Sequence, residues 1–238
     1  MVQTLMGSKL SEEIKLYPLV ERWMKKHFLC FKTAINKGLK HGRIDVIGIR
    51  DIGSSLSGEI EVISIEVKRG SEAFATASGQ ALGYKIYANR VYLADVRNNS
   101  FSHDEITIAS HLGIGLIQIK NGKCSEILSS PLYTPMVSHN LSLIERMALG
   151  KCQLCHSFFE LGDMTSHTSK FRGNVSRGTL DYAVEHEKGF MFWNWEVADR
   201  KNKIGIKPLK DDTTYERRYV CPECVLNFFR DTKHLKTE

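Results

Sequence analysis

The stretch that most constrains the fold is GEIEVISIEVKRG, at residues 58 to 70. Its closely spaced isoleucines and valines are typical of a strand that is buried within a sheet. A second strand pattern, RIDVIGIR at residues 43 to 50, precedes it across a link rich in glycine and serine. Short links of this kind join antiparallel neighbours, so the two stretches predict the interior of a sheet. The later stretch nevertheless ends on Glu66, Lys68 and Arg69.

Apolar periodicity and turn signals predict the other elements. Residues 10 to 28 have the three-and-four spacing of one helix face, with a bend at Pro18. The remaining predictions, in chain order, are a strand or helix end at 28 to 35, a loop at 36 to 42, a helix after Gly70, a strand at 90 to 96, a helix from Ser102, and a hairpin about Asn121 and Gly122. This order predicts a mixed α/β fold, in which helices flank a central mixed sheet.

Two prolines interrupt this order at residues 129 to 140 and predict a domain boundary there. A chain of 238 residues, 42% of them apolar, can bury one full core and a smaller second one. We therefore expect a first domain at residues 1 to 135 and a second at residues 136 to 238. The sequence contains neither a signal-peptide pattern nor a long apolar run, so we expect an intracellular, cytoplasmic protein that does not enter the membrane.

The charged end of the later strand suggests chemistry because of the residues beside it. Side chains alternate along a strand, so Glu66 and Lys68 share one face. Asp45 lies among the apolar residues of the neighbouring strand, where a carboxylate needs a cation or hydrogen-bond donors. Asp45 and Glu66 could together hold Mg²⁺, with Lys68 orienting a water or stabilising charge on a phosphate. The alternative is a purely structural pairing of Asp45 with Arg43 or Lys68.

Three short motifs follow one another in the first half of the chain: Gly42-Arg-Ile-Asp45, Glu66-Val-Lys68 and Gln80-Ala-Leu-Gly-Tyr84. Together they resemble the PD-(D/E)xK nuclease superfamily, with features of both its RecB-like and its Mrr-like branches. The resemblance covers roughly residues 10 to 128 and implies a restriction-endonuclease-like core. It further implies that Asp45 and Glu66 bind Mg²⁺ or Mn²⁺ and that Lys68 is the catalytic lysine.

The same resemblance implies roles for residues on two helices. Gln80 and Tyr84, one turn apart, would support the metal ligands or contact the substrate phosphate. The alternative is that their helix simply packs on the sheet with its polar ends in water. A glutamate of the first helix would also join the site, and Glu12, Glu13 and Glu21 are the candidates. Glu13 is favoured because it lies on the helix face that carries the apolar residues.

Four of the six cysteines form two Cys-x-x-Cys pairs: Cys152 with Cys155, and Cys221 with Cys224. Two such turns complete one tetrahedral Zn²⁺ shell, and a complete shell predicts a structural site. A redox role is the alternative. Three histidines could replace one of the thiolates: His156, His167 and His186. The aromatic stretch at residues 190 to 197 favours the core of this small domain over a platform for stacked bases.

The formal charge of +6 is compatible with a nucleic acid, most plausibly DNA. We therefore interpret the sequence as a Mg²⁺-dependent deoxyribonuclease, an endonuclease whose zinc domain assists nucleic-acid binding and which would associate with the nucleoid. Cutting two strands with one site per subunit makes a homodimer plausible. Two other function classes stay open: a non-catalytic nucleic-acid-binding module with the same fold, and a protein-interaction scaffold organised by zinc.

Overall fold

The computed structural model describes residues 13–39, 42–53, 59–70, 72–163, 177–193 and 217–230. Its internal contacts divide the chain into two compact units. The first unit consists of Met1–Ile52 and Ile60–Asn140, and the second of Gly53–Glu59 and Leu141–Glu238. The domain boundary expected near residue 135 lies shortly before this division, and the two domains as such stay a prediction.

Six described strands form the sheet of the first unit: Lys32–Leu39 (β1), Gly42–Asp51 (β2), Ile60–Lys68 (β3), Arg90–Val96 (β4), Gly115–Lys120 (β5) and Lys123–Leu128 (β6). The helices described around it are Tyr17–His27 (α1), Phe74–Gly83 (α2) and His103–Leu112 (α3), with a 3₁₀ turn at Tyr84–Ile86. The strands lie in chain order across the sheet. Strands β3, β4 and β5 are parallel, and the outer pairs are antiparallel. The predicted fold class, a mixed sheet flanked by helices, is confirmed.

Helix α1 packs its apolar stripe against one face of the sheet. Val20 and Met24 are completely buried there, in one cluster with Ile63 and Ile65 of β3. Helices α2 and α3 connect parallel strands and contact β3, β4 and β5. Right-handed crossovers place both of these helices on the opposite face of the sheet. The β3 side chains that alternate with Ile63 and Ile65 therefore face α2, and Glu66 is one of them.

The two edges of the sheet differ in how well the sequence predicted them. Asn121 and Gly122 have φ of +51° and +69° and join β5 to β6, as a two-residue type I′ hairpin requires. At the other edge, the strand predicted at 28 to 35 and the loop predicted at 36 to 42 are wrong in their bounds, because one strand spans Lys32–Leu39. Glycine, lysine and asparagine suggested a loop, but an edge strand tolerates these residues because one side of it faces solvent.

Helix α1 is shorter than the helix predicted at residues 10 to 28. Residues 13–14 are helical, a turn follows, and the long helix then begins at Tyr17 with Pro18 in its first turn. Proline fits this position because the N–H groups of a first turn have no partner within the helix. The predicted bend is therefore a break just before Pro18.

The second unit is built from short elements. They are, in chain order, the helix Val137–Arg146 (α4) that spans the division between the units, Leu149–Lys151 (β7), Phe158–Glu160 (β8), a 3₁₀ turn at Leu161–Asp163, Arg177–Glu185 (α5), Phe190–Trp193 (β9), Arg217–Val220 (β10) and Pro222–Phe229 (α6). Strand β7 pairs with β8 and β9 with β10, both antiparallel. Strand β9 covers the first half of the predicted aromatic stretch, and residues 194 to 197 lie outside the described part. No helix in the described ranges is long and apolar enough to cross a membrane.

Candidate functional site

The candidate site lies where two strands of the sheet separate. Strand β2 pairs with β3 as far as Val46, opposite Ile65, and the pairing ends there. Asp45 is the next residue of β2, and its Oδ2 accepts the N–H of Val67 at 2.9 Å. On the other side of β2, Asn36 of β1 has φ of +52° and is left out of the register. The carboxylate of Asp45 therefore takes the place of the backbone hydrogen bonds between β2 and β3 at this point, and the two strands separate beyond it.

The second oxygen of Asp45 accepts a hydrogen bond from helix α1. Tyr17 Oη donates to Asp45 Oδ1 at 2.7 Å, while the tyrosine as a whole is 3% exposed. Among the described residues, Asp45 forms no ion pair with Arg43 or Lys68, so the purely structural pairing is absent there. Sequence reasoning placed Tyr17 only in the core. Its hydroxyl was the available signal, because a buried phenol needs a polar partner.

Lys68 is held between two glutamates at the end of β3. Its Nζ lies 2.8 Å from Glu66 Oε1 and 3.1 Å from Glu72 Oε2. The first of these contacts confirms that Glu66 and Lys68 share one face of the strand. Sequence reasoning missed Glu72, because it follows the strand end and no periodicity relates it to Lys68.

Tyr84 contacts the site from the side of α2. Its hydroxyl hydrogen-bonds to Glu66 Oε2 and lies 2.7 Å from the carbonyl oxygen of Arg43. A phenol has a single proton, so these two acceptors share it. Helix α2 ends at Gly83, and Tyr84 belongs to the 3₁₀ turn that follows rather than to the same helix as Gln80.

These side chains line one cleft of about 490 Å³ within the first unit. All the predicted site residues border it, together with Tyr17: Glu13, Asp45, Glu66, Lys68, Gln80 and Tyr84. Gln80 is an exposed part of the wall. Of the rivals to Glu13, Glu21 contacts Thr33 and Lys25 instead, and Glu12 lies outside the described residues.

Burial and like charge act together on Asp45. Desolvation, followed by the charge of Glu66, raises the pKa of Asp45 to about 7. Desolvation alone would lower the pKa of Lys68, but the hydrogen bond and charge of Glu66 outweigh it and raise that pKa. Desolvation also raises the pKa of both Tyr17 and Tyr84. The two phenols therefore stay neutral donors, and Lys68 stays a cation at neutral pH.

Glu61, at the opposite end of β3, is a buried carboxylate with a purely structural role, and its charge compensation can be compared with that of Asp45. It is 3% exposed and accepts hydrogen bonds from Arg50 Nε at 2.7 Å and Arg90 Nε at 3.0 Å. Desolvation would raise the pKa of Glu61, but the two arginines outweigh it and lower that pKa. Among the described residues, no arginine pairs with Asp45 in this way, so the charge of Asp45 is compensated much less completely there.

Asp45 and Glu66 are the carboxylates of this cleft that could hold a hard divalent cation. Such an ion would relieve the repulsion that raises the pKa of Asp45. Each carboxylate oxygen has a second lone pair besides the one used in its hydrogen bond. Mg²⁺ typically takes one or two carboxylates and leaves its other positions to water and phosphate. Within the described ranges, no third carboxylate joins this pair in a ligand group, so Glu13 borders the cleft without completing one.

The second unit brings four thiols together. The sulfur atoms of Cys152, Cys155, Cys221 and Cys224 all lie within 4.8 Å of one another. The Sγ atoms of Cys155 and Cys221 are 3.7 Å apart, close to the ~3.8 Å that a tetrahedron with Zn–S bonds of ~2.3 Å requires. This distance is far too long for a disulfide, and all six cysteines are free. The four thiols can therefore hold one metal ion such as zinc.

Local structure explains why these cysteines converge. Cys152 follows β7 and bridges to Tyr219 of β10, which places it beside Cys221. Cys221 is the N-cap of α6, and its sulfur accepts the N–H of Cys224. The cysteines also form much of this unit's buried cluster, with Ala183 and Val225. Three of the four cysteines thus pack in the same cluster as apolar side chains.

Two of the three histidines considered as alternative ligands lie in the described part of the chain. His156 and His186 do not belong to the ligand group that the described residues form, and both are exposed. His167 lies outside the described residues. Cysteine is therefore the ligand type at all four described positions of the group.

No family model matches the chain, and no curated protein matches it. A solved structure of a protein of unknown function from Silicibacter pomeroyi is similar in part. The similarity has a TM-score of 0.38 and 22% identity, and it covers 54% of this chain and 78% of that one. A likeness of this strength carries no conclusion about activity.

Proposed function

We propose that the protein is a metal-dependent endonuclease that hydrolyses phosphodiester bonds in DNA. One observation carries the proposal: Asp45, Glu66 and Lys68 meet in one cleft where β2 and β3 separate. Two carboxylates in a cleft repel a polyanion unless a cation lies between them, whereas a bound divalent ion makes the same cleft attractive to a phosphate. The order of the three motifs, which resembles that of PD-(D/E)xK nucleases, supports the same interpretation.

Asp45 and Glu66 would hold Mg²⁺ or Mn²⁺ in this cleft. When bound, such an ion supplies a water of lowered pKa and neutralises charge on the phosphate. Tyr17 and Tyr84 would fix the orientation of the two carboxylates through their hydroxyl groups. Because these donors are already in place, the carboxylates need little rearrangement to act as ligands.

Lys68 would act as a fixed positive charge rather than as a base. Its raised pKa keeps the ammonium protonated at neutral pH, so it cannot accept a proton from water there. A protonated lysine near the phosphate stabilises charge that develops during hydrolysis. The ammonium can turn toward a phosphate by leaving Glu72, whose side chain is 32% exposed, while it keeps Glu66, which is 6% exposed.

The four-cysteine group would hold a structural Zn²⁺. Four thiolates fill a tetrahedral shell and leave no open position for catalysis. The positive charge of the chain as a whole is compatible with nucleic-acid binding, and we assign a part of that binding to this region. DNA as the substrate and assistance by the zinc-binding unit are parts of the same proposal.

A cleavage assay tests the proposal directly. Wild type, Lys68→Ala and Asp45→Asn would be incubated with duplex DNA, single-stranded DNA and RNA, with Mg²⁺, with Mn²⁺ and without added divalent ion. We expect ion-dependent cutting by wild type and a loss of about 100-fold or more for each variant. Lys120→Ala is the matched control, because this lysine is exposed and does not line the cleft. Chelators are avoided, since they would also remove zinc.

Metal and DNA binding separate the two variants from each other. Lys68→Ala should bind Mn²⁺ and DNA as wild type does, whereas Asp45→Asn should bind Mn²⁺ poorly. If wild type cuts no nucleic acid with any divalent ion, the nuclease proposal is overturned. Salt-sensitive DNA binding without cutting would then support the binding module, and the absence of binding would support the protein-interaction scaffold.

A further inference from the structure

A second cleft, of about 480 Å³, lies at the carboxyl ends of the parallel strands β3 and β4. Its lining is Arg69, Gly70, Val96, Arg97, Asn98, Asn99 and Ser100. None of these residues borders the cleft that contains Asp45 and Glu66. The two clefts adjoin along the chain, because Lys68 belongs to the first and Arg69 to the second.

Buried polar contacts hold the floor of this cleft in place. Asp95 is 3% exposed; its Oδ1 accepts the N–H of Gly70 at 2.6 Å, and its Oδ2 accepts from Arg97 Nε at 2.8 Å. Gly70 has φ of +75°, and a Cβ on it would lie 2.4 Å from the carbonyl oxygen of Val96. Glycine is therefore required twice over, by its conformation and by this close approach of β3 to β4.

A second buried group fixes the loop that follows β4. Gln118 of β5 is 8% exposed, and its Nε2 donates to the carbonyl oxygens of Arg97 at 3.2 Å and Asn99 at 3.1 Å. Burial of an amide is costly unless it is hydrogen-bonded, and here both bonds serve the loop. The side chains of Asn98 and Asn99 on that loop are nevertheless exposed. A rigid backbone thus presents polar side chains to the cleft.

We infer that this cleft binds the phosphate backbone of the DNA strand beside the phosphate that occupies the catalytic cleft. The inference rests on the proposed function. The exposed guanidinium of Arg69 and the amide and hydroxyl groups of the loop are donors that suit phosphate and sugar oxygens. Arg97 is paired with Asp95 and Glu105, which fixes its guanidinium in the wall of the cleft.

Binding measurements in metal-depleted buffer, where no strand is cut, test the inference. The probe is a short fluorescein-labelled DNA, single-stranded or duplex, followed by anisotropy over a range of salt concentrations. We expect Arg69→Ala, and the double variant Asn98→Ala with Asn99→Ala, each to weaken binding about tenfold. Arg69→Ala should also lower the slope of log K against log salt by about 1. Arg22→Ala is the matched control, because this arginine is exposed on α1 and borders neither cleft.

Cleavage at saturating DNA supplies a second readout. Because Arg69 does not border the catalytic cleft, Arg69→Ala should cut saturating DNA at the wild-type rate and lose rate only at low DNA concentration. If wild type binds and cuts while Arg69→Ala and the double variant bind like Arg22→Ala, the inference is overturned and the proposed function stands. If the variants lose affinity but wild type never cuts, the second cleft stands and the nuclease proposal fails. If wild type binds no nucleic acid either in metal-depleted buffer or with added Mg²⁺, both are overturned.

Discussion

Asp45 is the residue on which the chemistry of the candidate site depends most. Its carboxylate replaces a missing backbone hydrogen bond and is held by Tyr17 and by the N–H of Val67. Burial and the nearby charge of Glu66 raise its pKa to about 7. A divalent ion bound at Asp45, as we propose, would therefore compete with a proton close to neutral pH.

Asp45→Asn should stabilise the metal-free protein at pH 8. The folded-state pKa of Asp45 is raised above its unfolded value of 3.8 to about 7, so the folded state binds the proton more tightly. Wild-type stability is then full below about pH 4, falls as the pH rises toward 7, and stays low above it. We expect the variant to gain about 1–2 kcal/mol at pH 8 and to be slightly less stable than wild type at pH 4, because an amide nitrogen cannot accept one of the two hydrogen bonds that Asp45 accepts.

Chemical denaturation at several pH values, with and without Mn²⁺, measures this effect. Added Mn²⁺ should stabilise wild type at pH 8 and leave Asp45→Asn unchanged. A variant that is less stable than wild type at pH 8 without metal would contradict the account of Asp45.

Tyr17→Phe should shift the acid limb of the pH–rate profile to higher pH. The Tyr17 hydrogen bond stabilises the carboxylate and so lowers the pKa of Asp45, and its loss raises that pKa. Phenylalanine keeps the buried ring, so we expect a stability loss of only about 1 kcal/mol. Tyr92→Phe is the matched control, because Tyr92 Oη donates to Glu126 outside the cleft. Equal shifts for both variants would exclude a specific role of Tyr17.

Among the helices and strands, α2 is the one whose small residues are explained by its position beside the cleft. Its buried residues are all small, namely Ala77, Ser78 and Ala81, so its backbone lies close to the sheet. Gly79 borders the cleft of Asp45 and Glu66, and a Cβ added there would meet open space. Glycine inside a helix costs stability relative to alanine. Here it keeps the cleft wide without being required by packing.

Gly79→Ala should therefore stabilise the protein by about 0.5–1 kcal/mol and weaken its activity. The added methyl group lies in the space that we assign to the substrate. Thermal unfolding and kcat/KM for DNA cleavage measure the two effects. Thr76→Ala, at an exposed position of the same helix that does not border the cleft, should affect stability alone. Full activity of Gly79→Ala would show that the substrate does not use this wall.

The whole molecule combines two units with different sources of stability. The first has a large apolar core between α1 and the sheet. Among its described residues, one buried cluster of the second consists of Cys152, Cys221 and Cys224 with three apolar residues. A metal ion held by the cysteines would add free energy to this small cluster, so we expect the fold around it to depend on the metal.

We predict one equivalent of Zn²⁺ per chain, and selective unfolding of the second unit when it is lost. Metal binding of this type contributes on the order of 10 kcal/mol, more than a small core supplies. Elemental analysis and hydrogen exchange of wild type and of Cys152→Ser with Cys221→Ser test this. In the double variant, the protection of backbone amides from hydrogen exchange should disappear in β10 and α6 and persist in β3 and β4. Cys124→Ser, a free cysteine of the first unit, should retain zinc; zinc in the double variant would disprove the ligand assignment.

Several features were determined by local sequence alone. The closely spaced isoleucines and valines specified strands β2 and β3, Asn121 and Gly122 specified a hairpin, and the spacing of the cysteines specified two turns that could each supply two metal ligands. Each of these depends on residues a few positions apart, whose geometry the backbone itself dictates. The motifs also selected Asp45, Glu66, Lys68, Gln80 and Tyr84, which all border the cleft.

Only the tertiary structure decided how those residues act. Tyr17 reaches Asp45 across 28 positions of the chain, and no local pattern relates the two. The separation of β2 from β3 at Asp45 depends on the register of three strands, as does the extension of β1 into residues that suggested a loop. The pKa of Asp45 follows from burial and from Glu66 on the neighbouring strand. Packing between distant segments sets solvent access and charge separation, and these determine whether a carboxylate is paired, protonated or available to a metal.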